Sequence, residues 1–121
     1  MDAQLNQELV NDTAKLIMHR LIARSLAYDS TLLGRAKIAQ SMISDRFPDR
    51  SFVAEWHQLL QLSIRELRTR LTSRSEEMTR LRLSSPFVIS EGIDFSDEAL
   101  RRRIRRAAKR IATHRAVFKS A

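Results

Sequence analysis

The stretch 51-SFVAEWHQLLQLSIRELRTRL-71 decides the fold class. Phe52, Val53, Trp56, Leu59, Leu60, Ile64, Leu67 and Leu71 recur three or four residues apart, the spacing that puts side chains on one face of an α-helix. The stripe predicts a helix near 50–83. Beyond Leu71 it meets Thr72, Ser73, Arg74 and Ser75, and Ser73 stands three residues before Glu76, which is capping-box spacing. A break at 72–75 is therefore expected, followed by Met78, Leu81 and Leu83. Trp56, the only tryptophan, sits mid-stripe and reads as a core anchor.

Upstream, residues 3–28 form a second helical segment. Leu5, Leu9, Leu16, Ala23 and Leu26 share a face that Val10, Ile17, Met18, Leu21 and Ile22 widen beyond half the circumference. Such a helix is central in a bundle or pressed on a second copy, so a homodimer through this first helix is one expectation. A helix over 31–46 follows the capping residues Asp29 and Ser30 and stops before Pro48. Gly34 within it marks either close helix packing or a later helix start. The connection Ser84–Ser96 carries Phe87, Val88, Ile89, Ile93 and Phe95, too apolar for a free linker, and is expected to lie over the core. Ser96 then caps a last helix over 97–119, with Asp97 and Glu98 in its first turn.

The 121 residues hold only two glycines and two prolines, so turn punctuation is scarce and long helices follow. The expected architecture is a single all-α domain over 1–121, a helical bundle of about four helices with a strongly basic C-terminal helix. No cysteine occurs, which excludes disulfides, thiolate metal sites and cysteine nucleophiles. The polar start resembles no secretory leader, and the most apolar run, Leu16–Leu26, is interrupted by His19, Arg20 and Arg24. A cytoplasmic protein without a membrane span is expected.

Charge is distributed unevenly. The first hundred residues carry 13 basic and 14 acidic side chains, whereas Leu100–Ala121 carries nine basic and no acidic ones. The formal net charge of +8 therefore originates in one segment. On a helix, Leu100, Ile104, Ala107, Ala108, Ile111 and Phe118 form a narrow apolar stripe. Arg101, Arg102, Arg103, Arg105, Arg106, Lys109 and Arg110 occupy the remaining arc. These seven are the candidate binding residues. A row of arginine forks matches repeated phosphates, so nucleic acid, DNA or RNA, is the expected partner, gripped by its backbone. An acidic protein surface held by a helical adaptor or inhibitor is the alternative. A membrane surface is disfavoured because the stripe is rich in alanine.

Base readout has less support. Arg35–Gln58 reads as helix, turn and helix, but the turn lacks glycine and the second helix spends Phe52, Val53 and Trp56 on apolar positions. His19, His57 and His114 have no metal-ligand spacing, and no glycine-rich loop, nucleophile elbow or paired buried carboxylate occurs. The reading is of a non-enzyme without cofactor or metal.

Overall fold

The computed structural model describes residues 2–90 and 92–120, with side chains for 7–90 and 92–115. Among the described residues every regular element is helical. In chain order these are α1 (Asp2–Tyr28), α2 (Thr31–Arg46), α3 (Ser51–Leu59), α4 (Ile64–Leu71), α5 (Glu76–Leu81), a 3-10 turn Arg82–Ser84, α6 (Pro86–Ile89) and α7 (Glu98–Ser120).

The expected long third helix is broken twice, so the bundle has more and shorter helices than the sequence suggests. The break at 72–75 is where capping residues cluster, but the cap is Ser75 rather than Ser73. Ser75 Oγ accepts the Met78 N–H, while Ser73 Oγ accepts the N–H of Ser75. The other break, at 60–63, was not expected. There Ser63 Oγ accepts the Glu66 N–H at 3.1 Å, starting α4 afresh. Ser63 and Glu66 have the same three-residue spacing as Ser73 and Glu76, so the signal was present beneath an uninterrupted apolar stripe. Trp56 before this break and Leu67 after it are both fully buried in the same core.

α1 is the spine. It packs along α7 and α4 and touches α2 and the 3-10 turn, so partners within the chain meet its wide apolar face. Val10 meets Ala108 and Ala112 of α7. Met18, further along α1, shares a groove with Arg101 and Ile104 near the start of α7, so the two helices run antiparallel. The main core joins Ile22 and Leu26 of α1 to Leu32, Trp56, Leu67, Leu71, Met78, Leu81, Phe87, Phe95 and Ile104. The 84–96 connection covers this core with Phe87 and Phe95, though Ile89 points outward and is 64% exposed. Gly92 in this connection has φ +156°, a backbone conformation that side-chain-bearing residues rarely adopt, so glycine is favoured there; a β-carbon would also stand 2.5 Å from Leu32 Cδ2, the end of a side chain that could turn aside.

Trp56 lies at the centre. Its indole N–H donates to the Leu81 carbonyl at 2.9 Å and approaches Ser84 Oγ at 3.3 Å. The ring stacks on His19 at 6.5 Å and meets Phe87 edge-on at 6.3 Å. His19, fully buried, pairs its Nδ1 with the Lys15 carbonyl at 2.7 Å. A carbonyl only accepts, so Nδ1 carries the proton in the neutral ring. Nε2 has no hydrogen-bond partner among the described residues, and a proton added there would be buried without an acceptor. Burial, together with the charges of Arg82 and Lys15, outweighs the Lys15 bond and lowers the His19 pKa to about 4.

Arg82 is also buried. Its Nη1 donates to the carbonyls of Leu71, at 3.1 Å, and Ser73, at 2.6 Å, and Nη2 reaches Thr79 Oγ1 at 3.4 Å. One cation thus satisfies carbonyls at the C-terminal end of α4 and ties α4 to α5. Burial lowers its pKa. Gln40 plays a similar role between α2 and α3, donating to the Val53 carbonyl at 2.9 Å.

Three tests follow from this packing. Trp56→Ala should lower the unfolding free energy in urea titration by about 3 to 5 kcal/mol. Trp56→Phe should cost less, about 1 kcal/mol, because Ser84 Oγ also donates to the Leu81 carbonyl and leaves it paired. Gly34 lies inside α2, is exposed, and a β-carbon there would meet nothing within 4 Å, so neither close packing nor a late helix start explains it. Gly34→Ala should therefore raise stability by about 0.5 to 1 kcal/mol. The third concerns pH. Since His19 binds its proton less tightly folded than unfolded, its contribution is complete above pH 6.5 and lost as pH falls from 6.5 to about 4. The loss should reach about 3 kcal/mol, and a His19→Leu variant should lack this part of the acid dependence of urea unfolding.

Candidate polyanion-binding surface

α7 begins where Asp97 Oδ2 accepts the Leu100 N–H at 2.9 Å, so Asp97 is its cap. Ser96, expected in that role, instead gives its hydroxyl to Asp94 Oδ1, and the same carboxylate oxygen accepts the Ser96 N–H. These bonds hold the Asp94 pKa below its usual value. The turn places Asp97 and Glu98 ahead of the arginines, where they complement the positive end of the helix.

The helix seats itself by Ile104, Ala108 and Ala112, which are buried, with Leu100, Ala107 and Ile111 half-buried beside them. Ala112 completes the stripe read from the sequence. Phe118 and Leu5 lie outside the described side chains. The small side chains of Ala108 and Ala112 let α7 approach Val10 of α1 closely.

All seven candidate residues, Arg101, Arg102, Arg103, Arg105, Arg106, Lys109 and Arg110, are exposed. At about 100° per residue they divide into three rows. Arg101 and Arg105 border one side of the buried stripe, Arg103 and Arg110 the other, and Arg102, Arg106 and Lys109 form the outer ridge. Only Arg102 has an ion-pair partner among the described residues, Glu98 Oε1 one turn back at 3.5 Å. Both groups are largely exposed, so water and salt screen the pair. The row is therefore a field of cations almost without internal compensation.

Arg101 and Arg105 also line a groove of about 580 Å³ with Lys15, Met18, Leu83 and Val88. Lys15, Leu83 and Val88 recur in a neighbouring apolar depression with Phe47, Phe52 and Ile89. Phe47, Leu83 and Ile89 are 43%, 62% and 64% exposed. Among the described residues no carboxylate lines either depression.

A second cationic cleft lies between α1 and α4, lined by Arg20, Arg24, Arg65 and Arg68. A charge tally along the chain misses it, because carboxylates nearby in sequence point elsewhere in space. The traces in the sequence were two same-charge pairs at helical spacing, Arg20 with Arg24 and Arg65 with Arg68.

Asp45, Arg50 and His57 line a further cleft between α2 and α3. Among the described residues their side chains make no hydrogen bond or ion pair with one another or with a neighbour, so no proton relay is assembled there. Val53 and Trp56 of α3 are buried, which turns those positions to the core and away from any groove of DNA. Among the described residues no group of three or more histidine or acidic side chains is placed to hold a metal ion. No helix there is long and apolar enough to cross a membrane.

Comparison with protein-family models, curated proteins and solved structures finds no match to this chain.

Proposed function

We propose that the protein is a small nucleic-acid-associated accessory protein that binds the phosphate backbone through the exposed arc of α7. The observation that carries this reading is the set of seven exposed cations on one helix, only one of them ion-paired among the described residues. Such a row gains most from a ligand with repeated negative charge, because each phosphate engaged releases condensed counterions. The guanidinium groups project from a helix fixed by Ile104, Ala108 and Ala112, so little backbone ordering is needed on contact. The sequence of α7 has no Asn or Gln to read adenine edges, and in this reading its arginines contact phosphates, so contact without sequence preference is expected.

The groove beside Arg101 and Arg105 favours a second reading, a helical adaptor or inhibitor. Its exposed apolar residues and its cations, with no lining carboxylate among the described residues, suit an acidic amphipathic segment of another protein. A homodimer through α1 would use the half-buried Ile17, Met18 and Leu21, and sedimentation equilibrium decides it, a lone 14.0 kDa species counting against it.

Salt dependence separates the two main readings. If about five of the α7 cations engage duplex DNA, log K should fall against log salt with a slope near −4.5, about −0.9 per phosphate. Replacing Arg102, Arg105, Arg106 and Lys109 by Gln should keep the helix, since Gln is a good helix former. The same change should flatten the slope and weaken all sequences alike in fluorescence anisotropy. Wild-type protein that binds neither DNA nor RNA at about 50 mM salt, where such contacts are strong, would leave the adaptor reading.

A further inference from the structure

The cleft between α1 and α4 has a volume of about 460 Å³ and is lined by Arg20, Arg24, Arg65, Arg68 and Tyr28 with small or uncharged neighbours. Among the described residues no carboxylate lines it and none of its four arginines forms an ion pair. Arg68 alone has an internal partner. Its Nε donates to the Ala23 carbonyl at 2.6 Å, which fixes the guanidinium across the two helices and leaves its terminal amino groups for a ligand. Arg20 with Arg24, and Arg65 with Arg68, place like charges on adjacent turns, an arrangement that works against each helix. Packing does not require it, because Arg20, Arg24 and Arg65 are exposed.

Tyr28 adds a different chemistry. It closes α1 and is 89% exposed, so its ring buries almost nothing within the chain. A flat ring beside four guanidinium groups offers a stacking surface next to a phosphate site, the combination by which proteins hold unpaired nucleotides. A base inside a duplex is already stacked on both faces and has no free face for such a ring.

We infer that this cleft is a nucleotide subsite, in which Arg20, Arg24 and Arg65 hold a phosphate and Tyr28 stacks on the attached base. The nucleotide belongs to a single-stranded segment or is free in solution. The inference rests on the α7 reading for the first of these sources, and on the cleft alone for the chemistry.

The test uses the full-length protein and fluorescence anisotropy at about 50 mM salt, with a labelled oligothymidylate of about twelve nucleotides and a labelled duplex as probes. Tyr28→Ala should weaken oligothymidylate binding about 5-fold to 100-fold, Tyr28→Phe should bind as wild type, and neither should change duplex binding. Arg24→Gln with Arg65→Gln should weaken the single strand more than the duplex. Circular dichroism checks that each variant keeps its helices. Thymidine monophosphate, titrated by calorimetry, distinguishes the sources: binding that Tyr28→Ala abolishes supports the cleft with a free nucleotide as occupant. If Tyr28→Ala and the double variant bind every probe as wild type, the inference is overturned, and the α7 reading still stands where the α7 glutamine variant loses duplex binding. If the α7 variant binds duplex normally while Tyr28→Ala loses the single strand, the α7 reading fails and the cleft stands.

Discussion

The hydrogen bond from the Trp56 indole to the Leu81 carbonyl spans 25 residues, and the rest of the fold is arranged around it. A buried indole needs an acceptor for its N–H, and Leu81, the last residue of α5, supplies one where the helix ends and its carbonyls are available. Meeting that requirement brings α3 against α5, sets His19 of α1 on one side of the ring and Phe87 of α6 on another. Three parts of the chain distant in sequence are thereby held at one point. α1 can then pass through the centre with α4 and α7 along it.

Polar groups inside this core divide the work of orientation. Arg82 spends its guanidinium on carbonyls at the end of α4, Gln40 reaches across to α3, and His19 keeps its Nδ1 proton on its own helix. Each bond is directional where apolar packing is not, so the angle between short helices is fixed by a few buried donors. The cost is concentrated in atoms left without partners among the described residues, His19 Nε2, Gln40 Oε1 and Arg82 Nε. Buried Arg82 also shows that arginines in this chain serve opposite ends, one as an internal clamp and many as surface charge.

The surface charge follows from how α7 is seated. A stripe only as wide as Ile104, Ala108 and Ala112 leaves most of the helix circumference to solvent, and guanidinium groups fill it. Because acidic side chains are absent beyond Glu98 on this helix, the field is not cancelled locally. The α1–α4 cleft extends the same chemistry to another part of the bundle.

The sequence by itself determined the helical class, the burial of Trp56, the seat of α7 on Ile104 and Ala108, and the exposure of the seven cations. These are local properties, since the period of apolar residues along one helix sets which face is buried. The break at 72–75 was legible in its run of Thr and Ser, but only the tertiary structure decided the one at 60–63, because Leu60 and Leu62 continue the apolar run while Ser63 restarts the helix, and that choice turns on what the two halves pack against. It decided that His19 and Arg82 are buried, since their fate depends on carbonyls and rings from other segments. It also brought Arg20 and Arg24 together with Arg65 and Arg68, a juxtaposition of residues about 40 apart that no periodicity within either helix encodes.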